Sequence, residues 1–404
     1  MPQSGASSRD HGLPPVINVI AVAGFAASLP TRALDPVLPH LAGDFAVNNV
    51  TAAWLSSGFA FTYSIFQPAL GAAGDLFGKS RLMIGCLVLL GVANMLGALT
   101  TSFPLLLAAR MLAGVAAGGV FPIALSLTSD LIATDKRQIA IGRTLAGAMA
   151  GNLLGALASG YIAKSLGWRG VLVVLGVLSI VASIAVAAGF RGAKLTNPPK
   201  TTLSVLKTGY RTIFTNPNAP ATYSAVFIEG CCVFGLFPFI ASFLVDMGET
   251  SPAIAGGVIA GFAVGGLFYS LTVSRLLPQF GTNGMMIAGA ALVASQLVTV
   301  AFGLRWEVQM LNLVVMGWGF YMIHGCFQIF ASELSVEARA TALSLHSFFF
   351  FMGQTVGPVA YGFGLHHAGK MPTLFTSAAV MVALGLASAR LLKPRPPADE
   401  APGN

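Results

Sequence analysis

The chain has 404 residues, of which 55% are hydrophobic and only 9% are charged, and its formal net charge is +8. An average soluble domain is about 45–50% apolar and about 25% charged. This chain therefore has too few charged residues to cover a water-exposed surface, which excludes a soluble globular protein. Its 47 glycines and 28 phenylalanines are typical of helices that pack closely in lipid. We predict an all-α polytopic membrane protein.

Twelve apolar runs are long enough to cross about 30 Å of hydrocarbon as helices. In chain order, we place these predicted spans at residues 16–38, 50–73, 82–102, 104–128, 140–164, 170–190, 220–245, 254–277, 285–304, 308–331, 341–365 and 372–392. The basic connection at 191–218 separates spans six and seven. Its middle, LSVLKTGYRTIF, fits either a short amphipathic helix at the membrane surface or a plain linker.

Lysine and arginine lie unevenly on the two sides of these spans. With both termini inside, sixteen fall on the cytoplasmic side and four on the other. By the positive-inside rule, we predict that both termini are cytoplasmic. We expect the chain to be integral to the plasma membrane, which in a bacterium is the inner membrane. The basic charge then reflects orientation and indicates no nucleic-acid partner.

The chain repeats itself at half its own length. GFA at 58–60 recurs at 261–263, and SDL at 129–131 returns as SEL at 332–334, both shifted by 203 residues. Three further residues match at a shift of 202, namely Arg137 with Arg339, Gly151 with Gly353 and Gly155 with Gly357. With one residue lost between the two sets, the shift is otherwise constant across several loops and helices, which indicates a duplicated six-span unit.

This repeat predicts the domain organisation. The predicted parts are a cytoplasmic tail at 1–15, a six-helix bundle at 16–190, a cytoplasmic linker at 191–218, a second six-helix bundle at 219–392 and a cytoplasmic tail at 393–404. Repeats of this kind suggest two pseudo-symmetric bundles that rock about a shared central site.

The turn between spans two and three reads GAAGDLFGKSR. Part of it, AGDLFGKS, fits a loose phosphate-binding loop, but no strand precedes it and no soluble domain could hold a nucleotide, so we expect no nucleotide partner. The turn instead resembles the loop between spans two and three of the major facilitator superfamily, through Gly71, Asp75, Gly78, Lys79 and Arg81. The resemblance implies a gating loop, in which Asp75 helps to lock the bundles together.

Span four carries a second resemblance. RMLAGVAAG, with Arg110, Gly114 and Gly118, is similar to the Arg-x-x-x-Gly motif of that superfamily's drug:proton antiporters, and Gly-Trp-Arg at 167–169 is similar to their turn between spans five and six. A charged residue in hydrocarbon costs about 2.5–3.5 kcal/mol, so it should face a cavity or a partner. The resemblance implies that Arg110 modulates a nearby proton site. Snorkelling of Arg110 to the outer surface is the alternative.

Span five departs from the antiporter pattern. Gly-Pro followed by Gly-Gly is expected there, whereas GNLLGALASG has Ala156 in place of the proline and keeps only Gly160 of the final pair. Gly147, Gly151 and Gly155 still form a four-residue glycine ridge suited to close packing. The direction of transport therefore stays open.

Titratable residues inside spans are expected to be functional or paired, because each is costly in hydrocarbon. Glu229 lies about ten residues into span seven, near the midplane, where a carboxyl group could exchange a proton. A helix-pairing role satisfied by a neighbour is the alternative. We predict Glu229, Asp35 and Arg110 as proton-coupling residues, and no catalytic or metal-binding residues.

The substrate-binding candidates are Arg32, His324, Gln328, Trp318 and Tyr321. Arg32 can pair with Asp35, three residues further on, or bind an anionic group. His324 and Gln328 lie four residues apart and thus on one helix face. A packing role for His324 remains an alternative.

An aromatic and sulfur-rich cavity is expected, with candidate lining residues Trp54, Tyr63, Phe234, Phe237, Trp318, Tyr321 and Met322. His346 lies within two turns of the inner end of span eleven, so we expect it to be interfacial. The run Phe348–Phe351 is too continuous for one cavity face, so we expect it to meet lipid.

Together these resemblances extend over the whole chain, which is similar to the twelve-span drug:proton antiporter and sugar-efflux permease group. They imply the major facilitator fold, with twelve transmembrane helices in two pseudo-symmetric six-helix bundles, and a transporter that is not an enzyme. One hypothesis is proton-coupled efflux of small amphiphilic or drug-like molecules by alternating access, and the other is uptake or exchange of a small organic anion. The expected partners are a small-molecule substrate, protons and membrane lipid. We expect no cofactor and a monomer.

Overall fold

The computed structural model describes residues 14–132, 134–191, 203–335 and 338–392, and within them the chain is helical. The helices up to the linker are α1 (Val16–Ser28), α2 (Leu38–Asp44), α3 (Asn49–Ala52), α4 (Trp54–Phe77), α5 (Lys79–Leu99), α6 (Phe103–Leu131) and α7 (Thr134–Gly189). The following helices are α8 (Leu203–Phe214), α9 (Ala219–Phe234), α10 (Phe237–Asp246), α11 (Pro252–Ala301), α12 (Trp306–Glu333), α13 (Arg339–His367) and α14 (Lys370–Leu391).

Two of these helices each contain two membrane crossings. α7 and α11 run for 56 and 50 residues, although about 20 residues suffice for one crossing. Each is broken at a glycine with positive φ, Gly167 at 66° and Gly281 at 60°, which is a backbone conformation that other residues resist. α7 therefore joins spans five and six by a tight turn, and α11 joins spans eight and nine.

The helix lengths accommodate the predicted crossings. Eight helical segments of the described chain are long and apolar enough to span a membrane, including the two that reverse direction. α4 and α13, with 24 and 29 residues, supply two more helices of sufficient length. The described part of the chain is thus that of a helical membrane protein, and its helices are consistent with the twelve spans expected from the sequence.

Spans one and seven are interrupted, whereas the sequence predicted unbroken runs at 16–38 and 220–245. α1 ends at Ser28, and two 3₁₀ turns, Leu29–Thr31 and Asp35–Val37, separate it from α2. Each turn has a proline near its start, which cannot donate a backbone hydrogen bond and so breaks the α-helix. In span seven, Gly235 and Leu236 separate α9 from α10. In span one the break leaves the Pro30 carbonyl available to a side-chain donor, whereas Gly235 and Leu236 keep helical backbone angles.

The repeat seen in the sequence is also a repeat of contacts. A Cβ atom on Gly151 or Gly155 would overlap the carbonyl oxygen of Phe25 or Leu29 in the region of span one. In the second half, Gly353 and Gly357 stand against the carbonyl oxygens of Phe227 and Cys231 of α9 in the same way. All of these partners are related by a shift of 202 residues. The glycine ridge of span five therefore lets α7 approach α1 closely, as α13 approaches α9.

The two halves meet at the end of the molecule opposite the start of α1 and the end of α14, which we call the junction end. There α10 packs against α2 and the Asp35–Val37 turn, and α7 packs against α11. Gly160 stands against the carbonyl of Pro252, and Gly256 against that of Ala156. The small residues that remain of the span-five motif thus face the other half.

α4 and α13 form a further contact between the halves, which runs from the junction end towards the middle of the membrane. Val50, just before α4, packs on Gly362 of α13. Deeper in the membrane, the Ser64 hydroxyl donates to the Met352 sulfur at 3.2 Å, and the rings of Tyr63 and Phe351 lie 4.1 Å apart.

The segment LSVLKTGYRTIF forms α8, so the helical alternative for the linker is the one observed. Ile213 is fully buried against Tyr223, Leu334 and Ala342, and the Asn216 side-chain amide donates to the Leu334 carbonyl at 2.9 Å. α8 is therefore anchored to the second half, beside the start of α13.

Replacement of Gly155 by alanine is expected to destabilise the protein by about 1–3 kcal/mol, because the new Cβ atom would overlap the backbone of Leu29, directly after α1. Gly142→Ala, on the same helix, is the matched control, since nothing lies within 4 Å of its Cβ position. It should be neutral or slightly stabilising through helix propensity. Thermal unfolding in detergent compares the two variants. Equal unfolding midpoints would contradict the claim that the glycine ridge is needed for close packing of α7 on span one.

Candidate functional site

A buried polar network fills the break in span one. An Arg32 guanidinium nitrogen lies 3.4 Å from Asp35 Oδ2, and the Ser56 hydroxyl donates to Asp35 Oδ1 at 2.6 Å. Arg32 and Asp35 are only 8% and 1% exposed. Of the two alternatives for Arg32, the structure shows the pair with Asp35, whose carboxylate thus has an ionic and a neutral donor.

The same guanidinium reaches across to the other half. Its second terminal nitrogen donates to the side-chain oxygen of Gln354 on α13. The guanidinium carbon also lies 4.6 Å from the ring centroid of Phe234 and 4.9 Å from that of Phe237, distances suited to cation–π attraction. Arg32 is thus a contact between the halves as well as a partner of Asp35, which local spacing could not reveal.

Arg110 is buried, at 2% exposure, so the snorkelling alternative is wrong. One terminal nitrogen donates to the Pro30 carbonyl at 3.0 Å, an acceptor made available by the break in span one. Its guanidinium carbon lies 4.4 Å from the Phe59 ring centroid. The Nε and Nη1 atoms of Arg110 have no hydrogen-bond partner among the described residues. Two buried donors therefore remain available beside the Arg32–Asp35 pair.

A second titratable cluster lies in the other half. Glu229 of α9 is fully buried, and its Oε2 lies 2.8 Å from Nδ1 of His324 on α12. The other carboxyl oxygen, Oε1, has no partner in the described chain. Glu229 thus has the satisfying neighbour of the alternative interpretation, but that neighbour is itself titratable.

His346 belongs to this cluster, and the expectation that it would be interfacial is wrong. It is 2% exposed, and its ring centroid lies 5.0 Å from that of His324. α13 begins at Arg339, so His346 lies about two turns inside the helix, on the side that faces α12. Its Nε2 atom has no partner among the described residues.

Aromatic rings fill the space between the two clusters. The Phe234 ring packs at 5.3–5.4 Å on those of Phe262, Phe320 and Phe350. Phe320 and Phe350 each lie 4.8 Å from the His324 ring. A continuous aromatic layer therefore connects the rings beneath Arg32 with the Glu229–His324 pair.

The expectation that Phe348–Phe351 would meet lipid is wrong for most of that run. Phe349 stacks on Tyr223 at 5.1 Å, Phe350 packs in the aromatic layer, and Phe351 packs on Tyr63 of the other half. The run is continuous because α13 is surrounded by helices on several sides, each of which receives a different ring.

The remaining substrate-binding candidates are dispersed along α12. Trp318 donates its indole N–H to the Thr272 hydroxyl at 3.1 Å. The Tyr321 ring packs on Tyr269 at 6.3 Å, so both residues face the first part of α11. Gln328 is exposed and shares no hydrogen bond with His324 in the described chain. The structure therefore gathers His324 with Glu229 and does not bring Gln328 to them.

Two of the cavity-lining candidates, one aromatic and one sulfur-containing, lie away from the aromatic layer. Trp54 is 48% exposed at the start of α4, while Met322 is only 3% exposed and packs beside Gly289 of α11. Phe234 and Phe237 do lie at the centre, beneath Arg32.

The turn between spans two and three lies at the end of the molecule opposite the junction end. Gly78 has φ 89° and reverses the chain, while Lys79 forms an ion pair with Asp130 of α6 at 2.6 Å. Gly71 lies beside Pro122 at ordinary van der Waals distance, so close approach does not require a glycine there. Arg81 is exposed. The side chain of Asp75 lies outside the described part of the chain.

Asp35→Ala is expected to destabilise the protein by about 3–5 kcal/mol, because it leaves the Arg32 charge buried without a carboxylate. The double variant Arg32→Met, Asp35→Leu should recover much of that loss, since it removes both charges. Glu307→Ala breaks the exposed pair with Arg305 and is the control, with no measurable change expected. Thermal unfolding midpoints test this, and a double variant no more stable than Asp35→Ala would contradict it.

Comparison with known proteins agrees with this architecture. The model of the Major Facilitator Superfamily matches residues 20–335. The chain is 25% identical over 287 residues to a chloramphenicol resistance protein of Streptomyces lividans, covering 70% of this chain and 71% of that protein. It is 24% identical over 367 residues to multidrug resistance protein 1 of Bacillus subtilis, covering 90% and 92%.

A solved structure shares the fold. It is a bacterial homologue of the human lysosomal transporter Spinster in an inward-facing, unoccupied conformation, with a TM-score of 0.73, 17% identity, and coverage of 94% of this chain and 98% of that one. The duplicated helical halves, their buried central charges and the family match lead to one conclusion: the chain belongs to the Major Facilitator Superfamily of membrane transporters.

Proposed function

We propose that this transporter exports small amphiphilic or drug-like molecules in exchange for protons, by alternating access between its two halves. The observation that carries the proposal is the buried contact between Glu229 and His324, with His346 beside it. The relatives named as resistance proteins for chloramphenicol and for multiple drugs support the substrate class.

The Glu229–His324 contact can hold one exchangeable proton. Either the carboxyl group donates to Nδ1, or Nδ1–H donates to the carboxylate, and both arrangements keep the 2.8 Å contact. Loss or gain of a proton changes the net charge of a site that hydrocarbon and aromatic rings surround. Such a change is costly unless water or cargo compensates it, which supports coupling between proton movement and opening of the site.

The cargo would bind against the aromatic layer, whose rings suit flat, amphiphilic molecules. Arg32 and Asp35 neutralise each other at the edge of that layer. A cationic or neutral cargo therefore meets no uncompensated positive charge from Arg32. We place Tyr321 and Trp318 at its outer rim, since both are only partly buried.

A second candidate function is uptake or exchange of a small organic anion. The observation that favours it is the pair of unpartnered nitrogen atoms on buried Arg110, which could receive a carboxylate. Arg32 does not favour this second function, because it is already neutralised by Asp35 and hydrogen-bonded to Gln354 and so is not available to an anionic cargo. For this reason we prefer export of amphiphilic molecules.

We also propose that both termini are cytoplasmic in the plasma membrane and that the monomer is the working unit. In that orientation the junction end faces outward, and the turn with Asp75 and Lys79 belongs to the cytoplasmic gate, together with Asp130 of α6, which pairs with Lys79. The six-helix bundles at 16–190 and 219–392 would then move as the two rigid halves.

Glu229→Gln is expected to abolish movement of substrate driven by an imposed pH gradient in vesicles, because the amide cannot take up or release a proton. The protein should remain folded, since the amide can still bond to His324. Glu307→Gln, at an exposed position in the same half, is the control and should keep coupling. Undiminished coupling in Glu229→Gln would refute the assignment.

A counterflow panel separates the two candidate functions. Inverted and right-side-out vesicles are preloaded with labelled lipophilic cations or with labelled organic anions. Exchange of the cations, with loss of the response in Glu229→Gln, is the expected result. Exchange of the anions alone, lost in Arg110→Gln but kept in Glu229→Gln, would favour the second function.

A further inference from the structure

Three residues of α13 form a stripe along one helix face. His346, Phe350 and Gln354 follow one another at intervals of four residues, which places them one above the other on the helix surface. The stripe is about 12 Å long, since a helix rises about 1.5 Å per residue. His346 and Gln354 are 2% and 5% exposed, so both ends of the stripe are buried.

Each member of the stripe contacts a different part of the site. His346 lies 5.0 Å from His324, between ring centroids, and so adjoins the Glu229–His324 pair. Phe350 packs on His324 at 4.8 Å. Gln354 accepts a hydrogen bond from Arg32, which belongs to the other half of the molecule.

The stripe therefore joins the titratable cluster of one half to a contact between the halves. A helix is stiff along its axis, so a shift of His346 also moves Gln354. Gln354 has no second donor group on Arg32 to turn to, because the rest of the guanidinium is occupied by Asp35 and by the rings of Phe234 and Phe237. A small displacement of Gln354 is enough to break its hydrogen bond.

We propose that this stripe of α13 couples the protonation state of the Glu229–His324 pair to the junction between the halves. In this arrangement His346 is a positioning residue, and Gln354 is the residue whose contact with Arg32 is made or broken. The proposal rests on the proposed function only in taking Glu229 and His324 as the groups that exchange the proton.

The helices packed against α13 bring few other titratable groups to the stripe. α12 contributes His324, and α9 contributes Glu229 together with Tyr223, whose hydroxyl donates to the Ala342 carbonyl at 3.1 Å, one turn before His346. α4 contributes Tyr63, which packs on Phe351, and α8 contributes Tyr210 near the start of α13.

At the other end of the stripe the charged groups are Arg32 and Asp35. His346 has an unpartnered Nε2 atom, so it is free to form a new hydrogen bond when the charge of its neighbours changes. That change of partner is the step by which a proton on the pair would displace α13.

The test measures the distance between the halves at the junction end. Spin labels are attached at Asn49→Cys and Thr250→Cys, two exposed positions in opposite halves, after replacement of the four native cysteines by alanine. Pulsed electron resonance then gives the distance distribution in lipid over a pH series. The unsubstituted stripe should show a pH-dependent shift between a short and a long distance.

Gln354→Ala should abolish the pH dependence of this distance distribution. At the least, it should reduce the pH-induced change in the ratio of short-distance to long-distance populations by about fivefold or more. Gln354→Glu should hold the short distance over the pH series, because a carboxylate binds Arg32 more strongly. Thr355→Ala is the matched control, since its hydroxyl donates only within α13, to the Phe351 carbonyl at 2.9 Å. His346→Phe should displace the pH at which the shift occurs.

Two outcomes overturn the proposal. The first is a junction distance that does not respond to pH in the unsubstituted stripe. The second is a response in Gln354→Ala equal to that of Thr355→Ala. If Glu229→Gln abolishes proton-driven transport but Gln354→Ala shifts normally, the coupling stripe fails and the proposed function stands. If Glu229→Gln keeps both transport and the pH response, the proposed function fails.

Discussion

A charge inside hydrocarbon must be compensated at its own depth, and this requirement governs the centre of the molecule. Arg32, Asp35 and Arg110 all cluster around the break in span one, where freed carbonyls and a second half supply partners. The groups that compensate the charge of Arg32 come from both halves. Asp35 lies in the same half, while Gln354 and two aromatic rings lie in the other. A motion that separates the halves therefore breaks the contacts of Arg32 with Gln354, Phe234 and Phe237 and leaves its contact with Asp35. The cost of that removal gives the junction a preferred state that other groups can bias.

Close helix packing is what allows the halves to remain rigid around this centre. The ridge of Gly151 and Gly155 brings α7 onto α1, and Gly353 and Gly357 bring α13 onto α9 in the duplicated unit. The equivalence extends to the individual carbonyl oxygens that each glycine faces. Between His346 and Gln354, α13 is a continuous helix, so this part of it moves as one element. A change near His346 is carried along the helix towards Gln354.

Much of this architecture could be predicted from the sequence, because apolar length, glycine spacing and internal repetition are local signals. The membrane class, the repeat and the pairing of Arg32 with Asp35 follow from such signals. The breaks in spans one and seven were not predicted, although prolines at 30, 36 and 238 marked them. The spans were placed by the length of each apolar run, and that criterion does not register a proline inside the run.

The contacts between distant spans could not be predicted. No local pattern indicates that Gln354 receives a hydrogen bond from Arg32, because they lie 322 residues apart. His346 was misplaced because its distance from the helix end was used as a measure of depth, whereas the helix that covers it decides its burial. The spacing of four between His346, Phe350 and Gln354 was present in the sequence. A polar residue at each end of an aromatic stripe is a signal that could have found the cluster.

The central claim is that Glu229 exchanges a proton within a buried pair, and infrared difference spectroscopy tests it without knowledge of the cargo. Protein reconstituted in lipid is taken through a pH change, and the carbonyl stretch of protonated carboxyl groups is recorded. The account predicts a band that titrates with pH, disappears in Glu229→Gln and changes frequency when His324 is replaced by asparagine. A spectrum that is unaltered by Glu229→Gln would contradict the account.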